Sequence, residues 1–287
     1  MKKILIISHP RSGCSLVIDS LVNNLKKCVF PSIRPSFSTI ENLYLPHDND
    51  ITDEFYDYCF NNNTDNELLL FKTHIIPEEF IIGIQNTNYF HSIKDWEIID
   101  NIFKTSIKIY VYRKPVNVLG SWFNFSKNGG ALTNAHKSRL GEIKLSEFIR
   151  SPNYYIMPQR AYMDFDRNTV LYLKHHRESW LKHEGIIAIS SDDLLENFQS
   201  DFQSMINKAR IGHYLKNEKE IIIPPINIPP IKKNNNRLLN KIKCYISLST
   251  NSNFESANVR ANRGIDGSYT DFFSMDDLEF IKKNLAD

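Results

Sequence analysis

No stretch of this chain approaches the roughly 20 consecutive apolar residues that a bilayer span needs, so a transmembrane protein is not expected. The opening, Met1-Lys2-Lys3 and then four apolar residues, is too short for a signal-peptide core. An excess of one charge is also missing: 35 Lys and Arg face 33 Asp and Glu, a net of +2. That balance argues against broad nucleic-acid or membrane-surface binding. Cysteine is scarce, with Cys14, Cys28, Cys59 and Cys244 scattered, no C-x-x-C pair and no histidine spacing suited to zinc. Reduced thiols in a cytoplasmic compartment are therefore expected, and no metal. There is no internal repeat. The Walker pattern G-x-x-x-x-G-K-[ST] is absent, which speaks against an ATP kinase or GTPase built on the first loop.

What is present is an ordinary globular composition, 41% hydrophobic and 24% charged over 287 residues, enough for a sizeable core. Ile4 to Ile7 reads as a buried strand. After a turn at Gly13, the apolar positions Leu16, Val17, Ile18, Leu21, Val22 and Leu25 recur at helical spacing up to Lys26-Lys27. Leu68 to Phe71 leads into Lys72-Thr73-His74. Ile107 to Tyr112 leads into Arg113-Lys114-Pro115 and a helical stretch from Val116 to Phe125, where Pro115 suits a first turn. Gly185 to Ile189 is followed by Ser190-Ser191-Asp192-Asp193-Leu194, a helix-capping segment.

Short apolar strands alternating with helices predict a parallel sheet covered on both faces, a three-layer α/β/α fold. The polar stretches 61–67, 126–142 and 221–236 read as insertions and connections within one domain spanning 1–287. Ligands of such sheets bind beyond the carboxyl ends of the strands. Three basic and hydroxyl-bearing segments fall there: "HPRSGCS" (9–15), "KTH" (72–74) and the Arg-Lys-Pro at 113–115.

A turn between a buried strand and a helix offers unpaired backbone N–H groups at the positive end of a helix dipole. It is a ready anion cradle, and here it also carries Arg11, Ser12 and Ser15. An ordinary strand-to-helix turn is the plainer reading of the same residues. Cys14 lies at the helix start, but a cysteine phosphatase loop, H-C-x5-R, would want Arg where Ser20 stands. Packing or backbone support is the expected role of Cys14.

Taken together these segments resemble the PAPS-dependent sulfotransferases, of the cytosolic and bacterial type. "SHPRSGCS" (8–15) is similar to the family's S-x-P-[KR]-S-G-[TN]-[TS] loop, and "KTH" to its K-T-H element. "YRKPVNVLGSW" (112–122) resembles Y-R-N-P-x-D-V-x-x-S-x, with Arg113 and Ser121 eight apart. "NRGIDGSYTDFF" (262–273) resembles R-K-G-x-x-G-D-W-x-x-x-F, with Arg263, Gly264, Gly267, Tyr269 and Phe273 in register. The four motifs run in family order over most of the chain.

The resemblance implies a P-loop NTPase-like α/β fold and a 3′-phosphoadenylyl sulfate (PAPS) donor that leaves as PAP, without a metal. It implies that Arg11, Ser12, Gly13, Cys14 and Ser15 hold the 5′-phosphosulfate end. Arg113, Ser121, Arg263 and Gly264 would hold the 3′-phosphate. His74 would be the general base, and Arg11 and Lys72 the cations at the transferring group. The acceptor would be a hydroxyl or amine of a small molecule or carbohydrate.

Several positions depart from the pattern. Arg11 stands where many relatives have Lys, which keeps the charge but not easy proton delivery. Leu16-Val17 replace an adenine-stacking Trp, leaving Tyr269 or Phe273 as candidates, and "YLKHHRESW" (172–180) matches the family's Tyr-plus-Trp helix only with a slipped register. Two other readings stay open: a small-molecule kinase on the same fold, and a PAP-binding protein without catalysis.

Overall fold

The computed structural model describes residues 2–26, 28–29, 68–74, 76–78, 100–127, 143–151, 168–217, 220–223 and 272–286. Its centre is a five-stranded sheet in the order β2-β3-β1-β4-β5, with every pairing parallel. The strands are β1 (Lys2–Ser8), β2 (Cys28–Val29), β3 (Leu68–Thr73), β4 (Ile107–Tyr112) and β5 (Ile186–Ser190). The apolar runs of β1 and β3 are buried along both faces, from Ile4 to Ile7 and from Leu68 to Phe71, as a central parallel strand requires.

Each face of the sheet has its own helical layer. Helices α1 (Cys14–Asn24), α5 (Ser191–Glu196) and α6 (Phe198–Lys208) pack on one side, where Val17, Leu21, Leu194 and Phe202 meet Ile4, Ile6, Leu70 and Val111. On the other side lie α2 (Pro115–Lys127), α3 (Leu145–Arg150), α4 (Thr169–Leu181) and the C-terminal α7 (Met275–Leu285). Their core is more aromatic, built on Trp122, Phe148, Tyr172 and Phe273. Fully burying side chains of this size stabilises by about 1.5–3 kcal/mol each. The architecture is the expected three-layer α/β/α. No described helix is long and apolar enough to cross a membrane.

Two local expectations are corrected. Helix α1 stops at Asn24 rather than at Lys26-Lys27, because Leu25 turns extended and bridges antiparallel to Leu215, and the Lys26 N–H bonds the Tyr214 carbonyl at 2.7 Å. Phe273, a candidate for stacking on adenine, is a core residue under α7. The insertions at 61–67 and 128–142, and the connection beyond residue 223, lie outside the described residues.

Candidate functional site

Register brings the chemistry to one edge. Ile7 pairs with Thr73, Ser8 with Val111, and Tyr112 with Ser190, so β1, β3, β4 and β5 end nearly level. The residues that leave those ends are His9, His74, Arg113 and Ser191, and all four are buried.

The loop from β1 to α1 turns tightly. The Ser12 N–H bonds the His9 carbonyl at 3.2 Å, Arg11 takes a left-handed backbone (φ 70) and Gly13 another (φ 92). Only glycine suits the second position. A Cβ there would lie 2.5 Å from the Ser191 Cβ and 2.6 Å from its Oγ, far inside contact distance. Gly13 caps α1 without a side-chain hydrogen bond, and the first turn of the helix holds no acidic residue. The first N–H groups of that turn therefore meet the loop with neither a side-chain cap nor a carboxylate, while the Leu16 N–H bonds the Gly13 carbonyl at 3.0 Å. Cys14 points its side chain into the core, Ser12 is buried and Ser15 half-buried.

His74 is fixed from two sides. Its Nδ1–H donates to the Ser8 carbonyl at 2.5 Å, with the Ser8 hydroxyl 3.2 Å away, which leaves Nε2 as the basic nitrogen. Burial, then the charge of Lys72, push the His74 pKa well below the ordinary histidine value, while the Ser8 carbonyl opposes them. The ring is thus neutral at physiological pH. Behind it the Tyr110 hydroxyl donates to His176 Nδ1 at 3.0 Å, and His176 Nε2–H donates to the His74 carbonyl at 3.1 Å. Burial raises the Tyr110 pKa and keeps its proton on, so this chain of donors has one direction. Lys72 is itself buried two residues before His74 in β3 and its neighbouring turn. His9 packs edge-on to Trp122, with ring centroids 4.4 Å apart, and contacts Tyr172 and His176.

Arg113 leaves β4 directly into a buried ion pair. Its Nε donates to Asp192 Oδ1 at 3.2 Å, and the other carboxylate oxygen accepts the Lys114 N–H at 2.8 Å. Arg11 and Ser121, expected at opposite ends of the donor, are bonded to each other, Nε to Oγ at 3.1 Å. The loop and α2 are therefore tied together at the site. Arg263, Gly264, Gly267 and Tyr269 lie outside the described residues. Sequence reasoning missed His176, Tyr110, Ser191 and Asp192. The signal for the last two was present: "SSDDL" follows β5 just as Arg113 follows β4, yet it reads as a helix cap alone.

No protein-family model matches the chain, and no curated protein does. Among solved structures it is similar to mouse sulfotransferase SULT7A1 complexed with PAP, at 13% identity and a TM-score of 0.52, over 99% of this chain and 83% of that one. Retinol dehydratase in complex with androsterone and inactive cofactor PAP is matched at 12% identity and a TM-score of 0.48, over 100% of this chain and 80% of that one. Its complex with retinol and PAP gives 12% and 0.46, over 100% and 81%. The first likeness extends over nearly the whole of this chain and identifies its fold as the P-loop-like α/β/α arrangement.

Proposed function

We propose that this chain is a sulfotransferase that moves a sulfuryl group from PAPS to a hydroxyl or amine of a small-molecule or carbohydrate acceptor and releases PAP. One observation carries the reading. An uncapped helix start, a buried neutral histidine held by its Nδ1, and the buried cations Lys72 and Arg113 stand at one edge of a parallel sheet. The fold shared with a PAP-bound sulfotransferase supports the same donor.

The residues fit an anionic nucleotide. The open turn at Gly13 supplies backbone donors, and Arg113 has a buried Nη2 with no hydrogen-bond partner among the described residues. In this reading Arg11, Ser12, Gly13, Cys14 and Ser15 bind the phosphosulfate end, Cys14 through its backbone. Arg113 and Ser121, together with Arg263 and Gly264, bind the 3′-phosphate. The donor supplies the activated sulfuryl group.

The protein's own contribution is position, charge and a proton acceptor. His74 Nε2 accepts the acceptor's proton as its oxygen or nitrogen bonds to sulfur, and the lowered pKa keeps the ring deprotonated at neutral pH. Lys72 and Arg11 stabilise the charge that grows on the departing phosphate. The Tyr110–His176 pair holds the His74 backbone still while this happens.

The test is transfer of label from sulfur-35 PAPS to a panel of phenols, alcohols, amines and sugars, with PAP binding followed by calorimetry. His74→Ala should lower turnover by ~10²–10⁴ while PAP affinity stays within about twofold. Absence of PAP binding by the wild-type chain would overturn the reading. PAP binding without transfer to any acceptor would favour a non-catalytic binder.

A further inference from the structure

We infer that Asp192 is a positioning residue: it holds the Arg113 guanidinium by its inner edge and keeps the terminal edge for the bound 3′-phosphate. The inference rests on the donor reading above and names a residue that reading does not contain. Arg113 and Asp192 lie 79 positions apart and meet because β4 and β5 are neighbours, with Tyr112 level with Ser190. Their side chains are 7% and 2% exposed, so neither charge is solvated.

The geometry of the pair is informative. A carboxylate commonly grips a guanidinium with both oxygens in parallel. Asp192 instead divides them, Oδ1 to Arg113 Nε and Oδ2 to the Lys114 N–H. Both oxygens are engaged, and Arg113 Nη2 stays buried with no partner among the described residues. A buried, charged N–H left in that state is costly, and such groups in folded proteins ordinarily have a partner. An anion with oxygens at the terminal edge supplies one. The Lys114 contact does the second half of the work, since it fixes the backbone from which Arg113 projects and at which α2 begins.

Charge and orientation predict opposite signs, which makes the inference testable. As a charge, Asp192 opposes a bisphosphate, so its removal would tighten binding. As a positioning residue, it supports binding, so its removal loosens it. The experiment is calorimetry with two probes, PAP and adenosine 5′-phosphate, on wild type, Asp192→Asn and Asp192→Ala, with a thermal melt of each. Asn is the near-isosteric variant and keeps one acceptor should Ala fold poorly.

The expected result is a loss of about tenfold or more for PAP, against a change within about threefold for adenosine 5′-phosphate, in a protein that still melts cooperatively. Tighter PAP binding, or equal losses for the two probes, would overturn the positioning role while leaving the donor reading intact. A wild type that binds PAP no better than adenosine 5′-phosphate would overturn it too. A wild type that binds neither would remove both readings together.

Discussion

The starts of α7 and α1 are built in opposite ways. Helix α7 answers its own dipole: Ser274 Oγ accepts the Asp277 N–H and the Asp277 carboxylate accepts the Ser274 N–H, both at 3.1 Å, with Asp276 and Asp277 in the first turn. Arg150 then reaches both carboxylates and lies 4.4 Å from the Phe280 ring centroid. Burial would raise the Asp277 carboxyl, but hydrogen bonds from Ser146, Arg150 and Ser274 outweigh it and hold the pKa at about 2. The start of helix α1 has no side-chain cap and no acid in its first turn.

The other named helices sharpen the contrast. Asn168 caps α4 and Ser190 caps α5, while α3 and α6 carry Glu147 and Asp201 in their first turns. Helix α2 receives Asp192 at the Lys114 N–H just before it. Among these elements α1 alone has neither a side-chain cap nor a nearby acid at its start, and it begins at the sheet edge where Lys72 and Arg113 are buried. A self-capped start serves the fold, whereas an open one beside Arg11 and the Arg113 edge is suited to an external anion.

The largest expected effect comes from closing the turn at Gly13. Gly13→Ala places a Cβ 2.5 Å from that of Ser191 in a left-handed backbone, two separate penalties. Strain and overpacking together should cost about 2–4 kcal/mol, read as a lower urea midpoint, with PAP binding weakened as well. A midpoint equal to that of wild type would mean that α5 gives way easily and that the close approach of Ser191 is incidental.

The self-capped start predicts a smaller and cleaner loss. Ser274→Ala removes one half of the capping box and should cost about 1 kcal/mol of stability with PAP affinity unchanged. The stretch holding Arg263 and Gly264 runs into this helix, which gives the measurement a second edge. A loss of PAP affinity larger than the loss of stability would make α7 part of the nucleotide site, and the contrast with α1 would fail.

How much of this was legible depends on how far apart the partners stand. The strand Ile107–Tyr112 and the turn into α2 could be read locally, because an unbroken apolar run ends at Arg113-Lys114-Pro115. The open start at Gly13 was legible for the same reason. The end of α1 was not, since Leu25 is captured by Leu215, 190 positions away, and helical periodicity knows nothing of that bridge. Asp192 looked like a cap because its local sequence is one, with Ser190 and Asp193 confirming it. Its pairing with Arg113 needs the β4–β5 adjacency, as the Arg11–Ser121 bond needs α2 folded against the loop. Phe273 fitted a motif position and yet packs in the core, because α7 and α4 bury that side of the helix layer.

The smallest effect on stability, and the most discriminating, comes from giving α1 what α7 already has. Ser15 is the second residue of α1 and half-buried, so Ser15→Asp puts a carboxylate at the positive end of the helix. The dipole lowers the pKa of such an acid in the folded state. Its stabilisation is therefore present above the unfolded value, near 4, and is lost as pH falls through the folded one. At neutral pH and low ionic strength the gain should be about 0.3–1 kcal/mol, read as a higher urea midpoint. In the proposed site the same carboxylate would repel the 5′-phosphate of PAP, so PAP affinity should fall by about tenfold or more. Stability and binding thus move in opposite directions. Unchanged PAP affinity would place the anion elsewhere than the start of α1. A lower midpoint would mean that this end is already electrostatically satisfied, and that α1 and α7 differ in their caps but not in their charge.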